Sequence, residues 1–202
     1  MKHEYTSNKS QRKAVMTVIT IISLLLNCVL APVVNAVLDK LSQNFAPYLY
    51  PFIILLGVGF SLIFGGLYIL FDRVLWKLIP CIKAQNLDGV YECNGISRGP
   101  NKLWEGTIKI KQTWSKIYIS LQTVSSTSKS FMANVHVDDN GTVILHYCYR
   151  NDPNGSIEEL KKHEGTAEIT FDGNTISGKY YNYPLDRQNF GTLTLNKQEK
   201  TK

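Results

Sequence analysis

The chain has 202 residues and a formal net charge of +6, and the position of that charge excludes a general nucleic-acid-binding domain. Residues 1–83 contain 8 Lys and Arg against 3 Asp and Glu, whereas residues 84–202 contain 14 against 13. A domain that binds DNA or RNA concentrates basic residues in its soluble part, and here the excess lies in the apolar part. The length suits a membrane anchor and one domain of about a hundred residues.

Two long uncharged segments occupy the N-terminal part of the chain. No charged residue lies in 14–38 or in 41–71, and about 20 apolar residues are enough to cross a bilayer. The sequence therefore predicts a two-helix transmembrane hairpin with spans at about 14–38 and 47–71, within an anchor of residues 1–83.

The basic residues near these spans predict their orientation. Four Lys or Arg precede the first span and three follow the second, whereas the connection contains only Lys40. Because Lys and Arg favour the cytoplasmic side, we expect a multi-pass protein with both termini in the cytoplasm. A cleaved signal peptide with a small-residue site at 34–36 is the alternative, although its apolar stretch exceeds the usual length of 7–15 residues.

Small residues recur every four positions in the second span, at Gly57, Ser61 and Gly65. This spacing places them on one helix face, where a neighbouring helix can approach closely. Glycine and serine are also common in membrane helices generally, so helix packing and chance both remain open explanations.

The four cysteines, Cys28, Cys81, Cys93 and Cys148, show no C-x-x-C spacing. Two of them lie in or beside the predicted spans, so a disulfide framework is not indicated. Free thiols in a reducing compartment fit this pattern better than a bridge between Cys93 and Cys148.

Alternating apolar and polar residues dominate 84–202, as in "WEGTIKIKQ" and "KIYISLQT". A period of two is typical of half-buried strands. Asn-Gly or Asp-Gly pairs at 140–141, 154–155 and 172–173 separate such runs and indicate hairpins. We expect about eight short antiparallel strands that form a compact, lipocalin-like, up-and-down β-barrel over residues 84–202.

No pattern in the sequence indicates catalysis. There is no glycine-rich phosphate loop, no G-x-S-x-G and no H-E-x-x-H, so we expect a protein that is not an enzyme. His136 and His146 flank the Asn140-Gly141 pair, and a two-residue loop there would place the two imidazoles on opposite faces of the sheet. We therefore expect no metal site.

The order of residues in the strands carries a family resemblance. Together with the two spans, it resembles the two-transmembrane, β-strand-rich effectors of bacterial cyclic-oligonucleotide anti-phage (CBASS) systems. The residues that carry the resemblance are Asp88, Gly89, Trp104, Gly106, Gln112, Trp114, Lys116, Ser126, Ser128, Ser130, Gly178, Tyr180 and Gly191.

This resemblance implies an anti-phage function in the bacterial inner membrane. The cytosolic barrel would bind a cyclic dinucleotide made by a partner nucleotidyltransferase, with no other cofactor and no DNA or RNA partner. Binding would promote homo-oligomerisation of the helices in the lipid bilayer and disruption of the inner membrane, which amounts to abortive infection.

A cyclic dinucleotide presents two phosphates and two bases. Arginine binds phosphate through two hydrogen bonds at once, and aromatic rings stack on bases. An aromatic residue can equally fill the interior of a small barrel, and an arginine can be solvated at a strand end. The candidate ligand contacts are Arg150, Arg187, Arg98, Tyr91, Trp104, Tyr149, Tyr181, Lys129, Ser126 and Ser128.

Two further functions are compatible with an anchored barrel. The first is a lipocalin-like carrier of a lipid or other apolar molecule, which requires an uncharged apolar lumen. The second is a membrane-organising protein without a ligand. A filled lumen would favour the second function, or a sensor that binds its ligand on the rim of the barrel or between subunits.

Overall fold

The chain folds into a helical unit and a β-sheet unit. The helical unit comprises Lys9–Trp76, and the other unit joins the described residues of Met1–Asn8 to those of Lys77–Lys202. The domain boundary between 83 and 84 stays a prediction. The computed structural model describes residues 2–5, 9–42, 50–83, 86–98, 102–154, 162–173, 175–183 and 190–198.

The helical unit is built from two long helices, α1 (Lys9–Ser42) and α2 (Tyr50–Arg73). A 3₁₀ turn (Leu75–Lys77) and the short α3 (Pro80–Lys83) follow α2 in the chain. Among the described residues, the stretch Ser10–Val33 is long and apolar enough to cross a membrane. Helix α1 includes the first expected span, 14–38, and α2 covers the second from Tyr50 onward, whereas residues 43–49 lie outside the described residues. The two helices confirm the helical architecture expected of the anchor, and the bounds of the spans stay a prediction.

Hydroxyl groups in α1 form hydrogen bonds within the helix. The hydroxyls of Thr17, Thr20 and Ser23 each donate to the carbonyl oxygen four residues earlier, at 3.0, 2.9 and 2.7 Å. Such bonds satisfy the polar groups internally, which an apolar environment requires. These three residues are therefore compatible with a membrane-spanning segment.

The β-sheet unit contains nine described strands. They are β1 (His3–Glu4), β2 (Gly89–Ser97), β3 (Lys102–Gln112), β4 (Lys116–Thr123), β5 (Ser126–Val137), β6 (Val143–Pro153), β7 (His163–Asp172), β8 (Thr175–Tyr183) and β9 (Phe190–Lys197).

Strands β2 to β9 form a closed antiparallel barrel. Neighbours in sequence pair with each other, β9 pairs with β2, and no long crossover connects them. The barrel confirms the eight strands expected from the sequence. Strand β1, from the segment before α1, was not expected; it pairs with β4. We call the end of the barrel where β2 begins the proximal end, and the end where β2 stops at Ser97 the distal end.

The interior of the barrel is a hydrophobic core. Ile108, Ile110, Ile117 and Ile119 on β3 and β4 are each at most 1% exposed, and the residues between them point outward. The alternation seen in the sequence therefore separates a core face from a solvent face, as a half-buried strand requires.

The hairpin between β5 and β6 corrects one expectation about the histidines. Its loop runs from 138 to 142, so His136 pairs with Ile144 and His146 pairs with Asn134. Both imidazoles lie on the outer face, and their expected placement on opposite faces was wrong because the loop has five residues instead of two. Within the described residues, no three His, Cys, Asp or Glu side chains gather as metal ligands.

The two cysteines of the barrel are free thiols, as the sequence indicated. Cys93 points into the core and is 1% exposed, whereas Cys148 lies on the outer face and is partly exposed. Burial raises the pKa of the Cys93 thiol to about 12. Cys93 therefore remains protonated at neutral pH, and a bridge to Cys148 is absent.

Aromatic rings cover glycines inside the distal half of the barrel. A Cβ atom on Gly95 would overlap the Trp104 ring, and one on Gly165 would lie 2.6 Å from the Tyr149 hydroxyl. At Gly191, a Cβ would overlap the carbonyl oxygen of Ile96. Glycine is required at these positions by close contact, because a ring or a neighbouring backbone occupies the space of a side chain.

We predict that Gly191→Ala destabilises the barrel by about 1–3 kcal/mol, the usual cost of forcing extra atoms into a filled interior. Thermal unfolding of the detergent-solubilised chain, followed by near-ultraviolet circular dichroism, measures this loss. The control is Thr192→Ala on the exposed face, which should stay within about 0.5 kcal/mol of wild type. Equal stability of both variants would contradict the filled interior.

Candidate ligand-binding site

The distal half of the lumen is filled by three aromatic residues whose polar atoms bond within the barrel. The hydroxyl of Tyr149 donates to Asn182 Oδ1 at 2.5 Å. The indole of Trp104 donates to the Tyr180 hydroxyl at 3.1 Å, and this hydroxyl also bonds to Ser97 at 2.6 Å. The geometry gives the candidates Trp104 and Tyr149 a structural role.

The buried serines of β5 belong to the same interior. Ser126 and Ser128 are each 5% exposed, and Ser126 Oγ accepts a hydrogen bond from Asn151 Nδ2 at 3.1 Å. The Oδ1 atom of Asn151 is buried and has no hydrogen-bond partner in the described part of the chain. The distal interior is thus polar, but its side chains largely bond to one another.

Tyr91 is a core residue of the proximal half. It is 1% exposed, and its hydroxyl donates to the carbonyl oxygen of Leu87 at 2.8 Å. Burial, with a smaller contribution from the charge of Asp88, raises its pKa to about 12. A ligand outside the barrel has no access to this side chain, so we remove Tyr91 from the candidate contacts.

A half-open groove lies on the outer face of strands β5 to β8. Its volume is about 410 Å³, which falls within the usual range of small-molecule sites. The exposed side chains of Met132 and Tyr181 stand on opposite sides of it, on β5 and β8. We call it the outer groove, and it is lined by Met132, Ala133, Asn134, His146, Tyr147, Cys148, Thr166, Ala167, Glu168, Lys179 and Tyr181.

One polar row crosses the outer groove. Asn134, His146, Glu168 and Lys179 are successive cross-strand partners on four strands. Glu168 lies between Lys179 and His146, 3.1 Å from Lys179 Nζ and 3.5 Å from His146 Nδ1. The hydrogen bond to Glu168 raises the pKa of Lys179. This row offers donors and one carboxylate to a ligand.

A second row, beside the outer groove, contains excess positive charge. Lys129 and Arg150 are direct cross-strand partners, and Glu164 is the next residue of the row. Arg150 donates two hydrogen bonds to Glu164 Oε1, at 3.1 and 2.7 Å. Asp152 is a second carboxylate that acts on Arg150, and Lys162 adds a cation 3.3 Å from Asp152. Like charges opposite each other, such as those of Lys129 and Arg150, destabilise a sheet. An anion bound beside them would relieve this repulsion.

The structure therefore divides the candidate residues by face. Lys129, Arg150 and Tyr181 lie on the outer face at the groove, and Arg98 is exposed at the end of β2. The backbone amide of Arg98 donates to Phe190, which is the cross-strand partner of Tyr181. Arg187 falls outside the described residues.

Several groove residues were not predicted from the sequence. Asn134, His146, Thr166 and Lys179 carry no motif, and only the strand register brings them together. The register depends on a β-bulge between Ser130 and Met132, which alternation of residue types does not reveal. Met132, an apolar residue that is 60% exposed on β5, marks the groove in the structure.

A helical anchor joined to a closed barrel, with an outer groove in which one polar row crosses a mainly apolar surface, is the architecture of a membrane-associated receptor. Comparison with known families agrees with this class. The family model "Cap15, cyclic dinucleotide receptor domain" matches residues 82–197, and the model "Cap15, TM helices" matches residues 13–77.

Curated relatives agree with the family models. A CD-NTase-associated protein 15 from Yersinia aleksiciae is 38% identical over 143 residues, which cover 68% of this chain and 68% of the relative. A protein with the same description from Staphylococcus schleiferi is 28% identical over 109 residues, 52% of this chain and 59% of the relative.

The chain belongs to the Cap15 family of CBASS effectors and contains both its cyclic dinucleotide receptor domain and its transmembrane domain. This confirms the family resemblance seen in the sequence. The family model describes the barrel as a receptor domain.

The different surroundings of the two barrel cysteines lead to a prediction on thiol chemistry. Cys148 should react with N-ethylmaleimide at pH 7.5, whereas Cys93 should not, because alkylation requires an accessible thiolate. Peptide mass spectrometry of the labelled full chain measures both sites in one sample. Equal labelling of Cys93 and Cys148 would contradict the closed barrel.

Proposed function

We propose that this protein binds a cyclic dinucleotide in the outer groove of its barrel, and that binding promotes oligomerisation of its helices and disruption of the bacterial inner membrane. The observation that carries this proposal is the combination of a filled lumen with a groove beside an excess of positive charge. The ligand would come from a cognate nucleotidyltransferase, and no catalytic step is involved.

The chemistry of the outer groove suits such a ligand. Tyr181 provides an aromatic face on which a base can stack, and a stacked base contributes about 1–3 kcal/mol. Across the groove, Met132 offers a polarisable apolar surface. Arg150 and Lys129 on one row and Lys179 on the other can donate hydrogen bonds to the two phosphates.

Existing ion pairs do not prevent this binding. Arg150 and Glu164 have side-chain exposures of 64% and 49%, and solvent screens an ion pair this exposed. Arg150 can therefore leave the carboxylate for a phosphate, to which its planar guanidinium donates two hydrogen bonds at once.

The carrier function receives no support from the interior. A lipid carrier of the lipocalin type needs an empty apolar lumen, whereas the described lumen is occupied by buried aliphatic and aromatic side chains. The groove on the outer face is crossed by the charged side chains of Glu168 and Lys179.

The half-open shape of the groove provides a reason for oligomerisation. A ligand there keeps one face uncovered, and a second barrel that covers this face would bind it more tightly than a single barrel does. A ligand shifts an equilibrium only through such a difference in affinity. Assembled barrels would then gather the attached helices in the inner membrane, with both termini in the cytoplasm.

The groove assignment predicts that a bound ligand protects Cys148. A panel of 3′,3′-cyclic dinucleotides built from adenosine, guanosine and uridine monophosphates is added to the detergent-solubilised full chain before N-ethylmaleimide. We expect the ligand that binds to slow alkylation of Cys148 at least about tenfold. Binding without protection would move the site to the distal end of the barrel, and no binding by any panel member would refute the receptor function.

Calorimetry on the same material measures single contacts. Arg150→Ala removes one charge-assisted donor and should weaken binding about tenfold to a hundredfold, and Tyr181→Ala should weaken it by a similar factor. The control Lys111→Ala changes an exposed lysine of β3 outside the rows that reach the groove, and should leave the affinity within about twofold.

The expected topology is tested with reporters fused after Lys202. A reporter that is active only in the cytoplasm should be active there, because the basic residues flank the outer ends of both spans. An active periplasmic reporter would place the barrel away from a cytosolic messenger and would contradict the proposed sensing.

The small-residue face of α2 is tested by one pair of variants. A Cβ atom on either Gly65 or Gly66 meets nothing within 4 Å in this chain, whereas one on Gly59 would lie 3.4 Å from Asn27 of α1. If Gly65 contacts a second copy, Gly65→Leu should reduce membrane crosslinking of oligomers and relieve toxicity. Gly66→Leu, about 100° further around the helix, should change neither. Equal effects would remove the packing argument.

A further inference from the structure

The segment before α1 forms part of the barrel wall. Strand β4 pairs with β5 through Ser120–Gln122 only, and its first two residues pair with β1 instead. His3 lies opposite Ile117, and its Nε2 is 2.8 Å from Ser130 Oγ on β5. The two-residue strand β1 thus fills the gap where β5 separates from β4.

Tyr5, directly after β1, is held in the core at the proximal end. It is 3% exposed, and its hydroxyl accepts a hydrogen bond from Gln112 Nε2 at 3.0 Å. Its contact with the last residue of β3 connects the chain before α1 to the barrel at a fixed point.

The segment after α2 is held by the same glutamine. Gln112 Oε1 accepts a hydrogen bond from the backbone amide of Leu87 at 2.8 Å. The backbone amide of Gln112 donates to Asp88 Oδ1 at 3.1 Å, and Lys77 Nζ donates to Asp88 Oδ2 at 3.0 Å. Partial burial acts to raise the pKa of Asp88, but the hydrogen bonds from Lys77 and Gln112 lower it by more than burial raises it. The net pKa lies below its usual value, so the carboxylate stays charged at neutral pH.

We propose that Gln112 joins the two segments that flank the helical hairpin, and that this junction transmits movement and assembly of the barrel to α1 as well as to α2. We call the junction of His3, Tyr5, Leu87, Asp88 and Gln112 the proximal clasp. The regulatory part of this inference rests on the proposed function.

Strand β5 connects the proximal clasp to the outer groove. Its bulge lies between Ser130 and Met132; Ser130 contacts His3, and Met132 lines the groove. Ser130 Oγ also accepts the backbone amide of Ile119 at 2.9 Å. A ligand that shifts the bulge therefore acts directly on the strand that holds β1.

A disulfide tests whether the proximal clasp is closed. Glu4 and Lys116 are direct cross-strand partners, and a disulfide can join such a pair. Glu4→Cys with Lys116→Cys should crosslink almost completely in the oxidised full chain, as read by peptide mass spectrometry. The control pair, Glu4→Cys with Lys109→Cys, places the second thiol on β3 and should not crosslink. Equal yields for the two pairs would overturn the clasp.

Dye release from proteoliposomes tests transmission to the helices. The double variant His3→Ala/Tyr5→Ala should bind the tightest panel dinucleotide as wild type does, yet release dye at least about tenfold more slowly. The matched control Glu4→Ala removes an exposed side chain of the same strand and should behave as wild type. Adding the Glu4–Lys116 disulfide to Tyr5→Ala should restore release, and reduction should abolish it again.

Each result decides between specific alternatives. Wild-type release by the double variant would overturn transmission through the clasp, and loss of release on crosslinking the wild-type clasp would show that it must open. If no dinucleotide acts, a chemically induced dimerisation domain fused after Lys202 brings the barrels together instead. If this dimerisation releases dye with wild type but not with the double variant, transmission through the clasp is supported and the proposed ligand is refuted. No release from wild type by this route would overturn the clasp.

Discussion

Closure of an eight-stranded ring is the constraint on which the rest of this structure depends. The interior of an eight-stranded barrel either is filled by side chains or holds one small ligand. Here buried side chains fill it, so the core of the domain and the lumen of the barrel are the same space. A large side chain in this interior requires a glycine on the neighbouring strand, because it occupies the space of that neighbour's side chain. Trp104 lies against Gly95 in this way, and Tyr149 lies against Gly165. A ligand must bind on the outside or at an end. The filled interior thus separates this receptor from a carrier, although both share one topology.

Under the proposed function, the ligand binds in an incomplete cavity on the outer face, and this shape connects recognition with assembly. An enclosed lumen would bury a ligand in one subunit and leave its neighbours unaffected. In the outer groove, by contrast, Tyr181 and Met132 can contact one face of a ligand while the other face stays available to a second subunit. Under the proposed function, the difference in affinity between single and assembled barrels is therefore a consequence of where the core lies.

The amino-acid sequence predicts the fold well and the site poorly, for physical reasons. Alternation and Asn-Gly or Asp-Gly turns are local signals, so the strands from β2 to β9 and their order could be inferred. Which residues share a row depends on register, and register depends on the bulge after Ser130 and on the five-residue loop between β5 and β6. The five-residue loop places His146 on the same face of the sheet as His136. A two-residue strand such as β1 is too short for any periodicity.

The strength of the proximal clasp determines how faithfully it can transmit movement. Burying an aromatic side chain such as Tyr5 stabilises by about 1.5–3 kcal/mol, and its hydrogen bond to Gln112 adds about 0.5–1.5 kcal/mol. These contributions act against the conformational entropy lost when the segment before α1 becomes ordered, about 1–2 kcal/mol per residue. A segment with only two paired residues keeps this cost low, and its attachment depends on the buried tyrosine and not on ladder length. Under the proposed function, the short length of β1 is therefore compatible with transmission to α1.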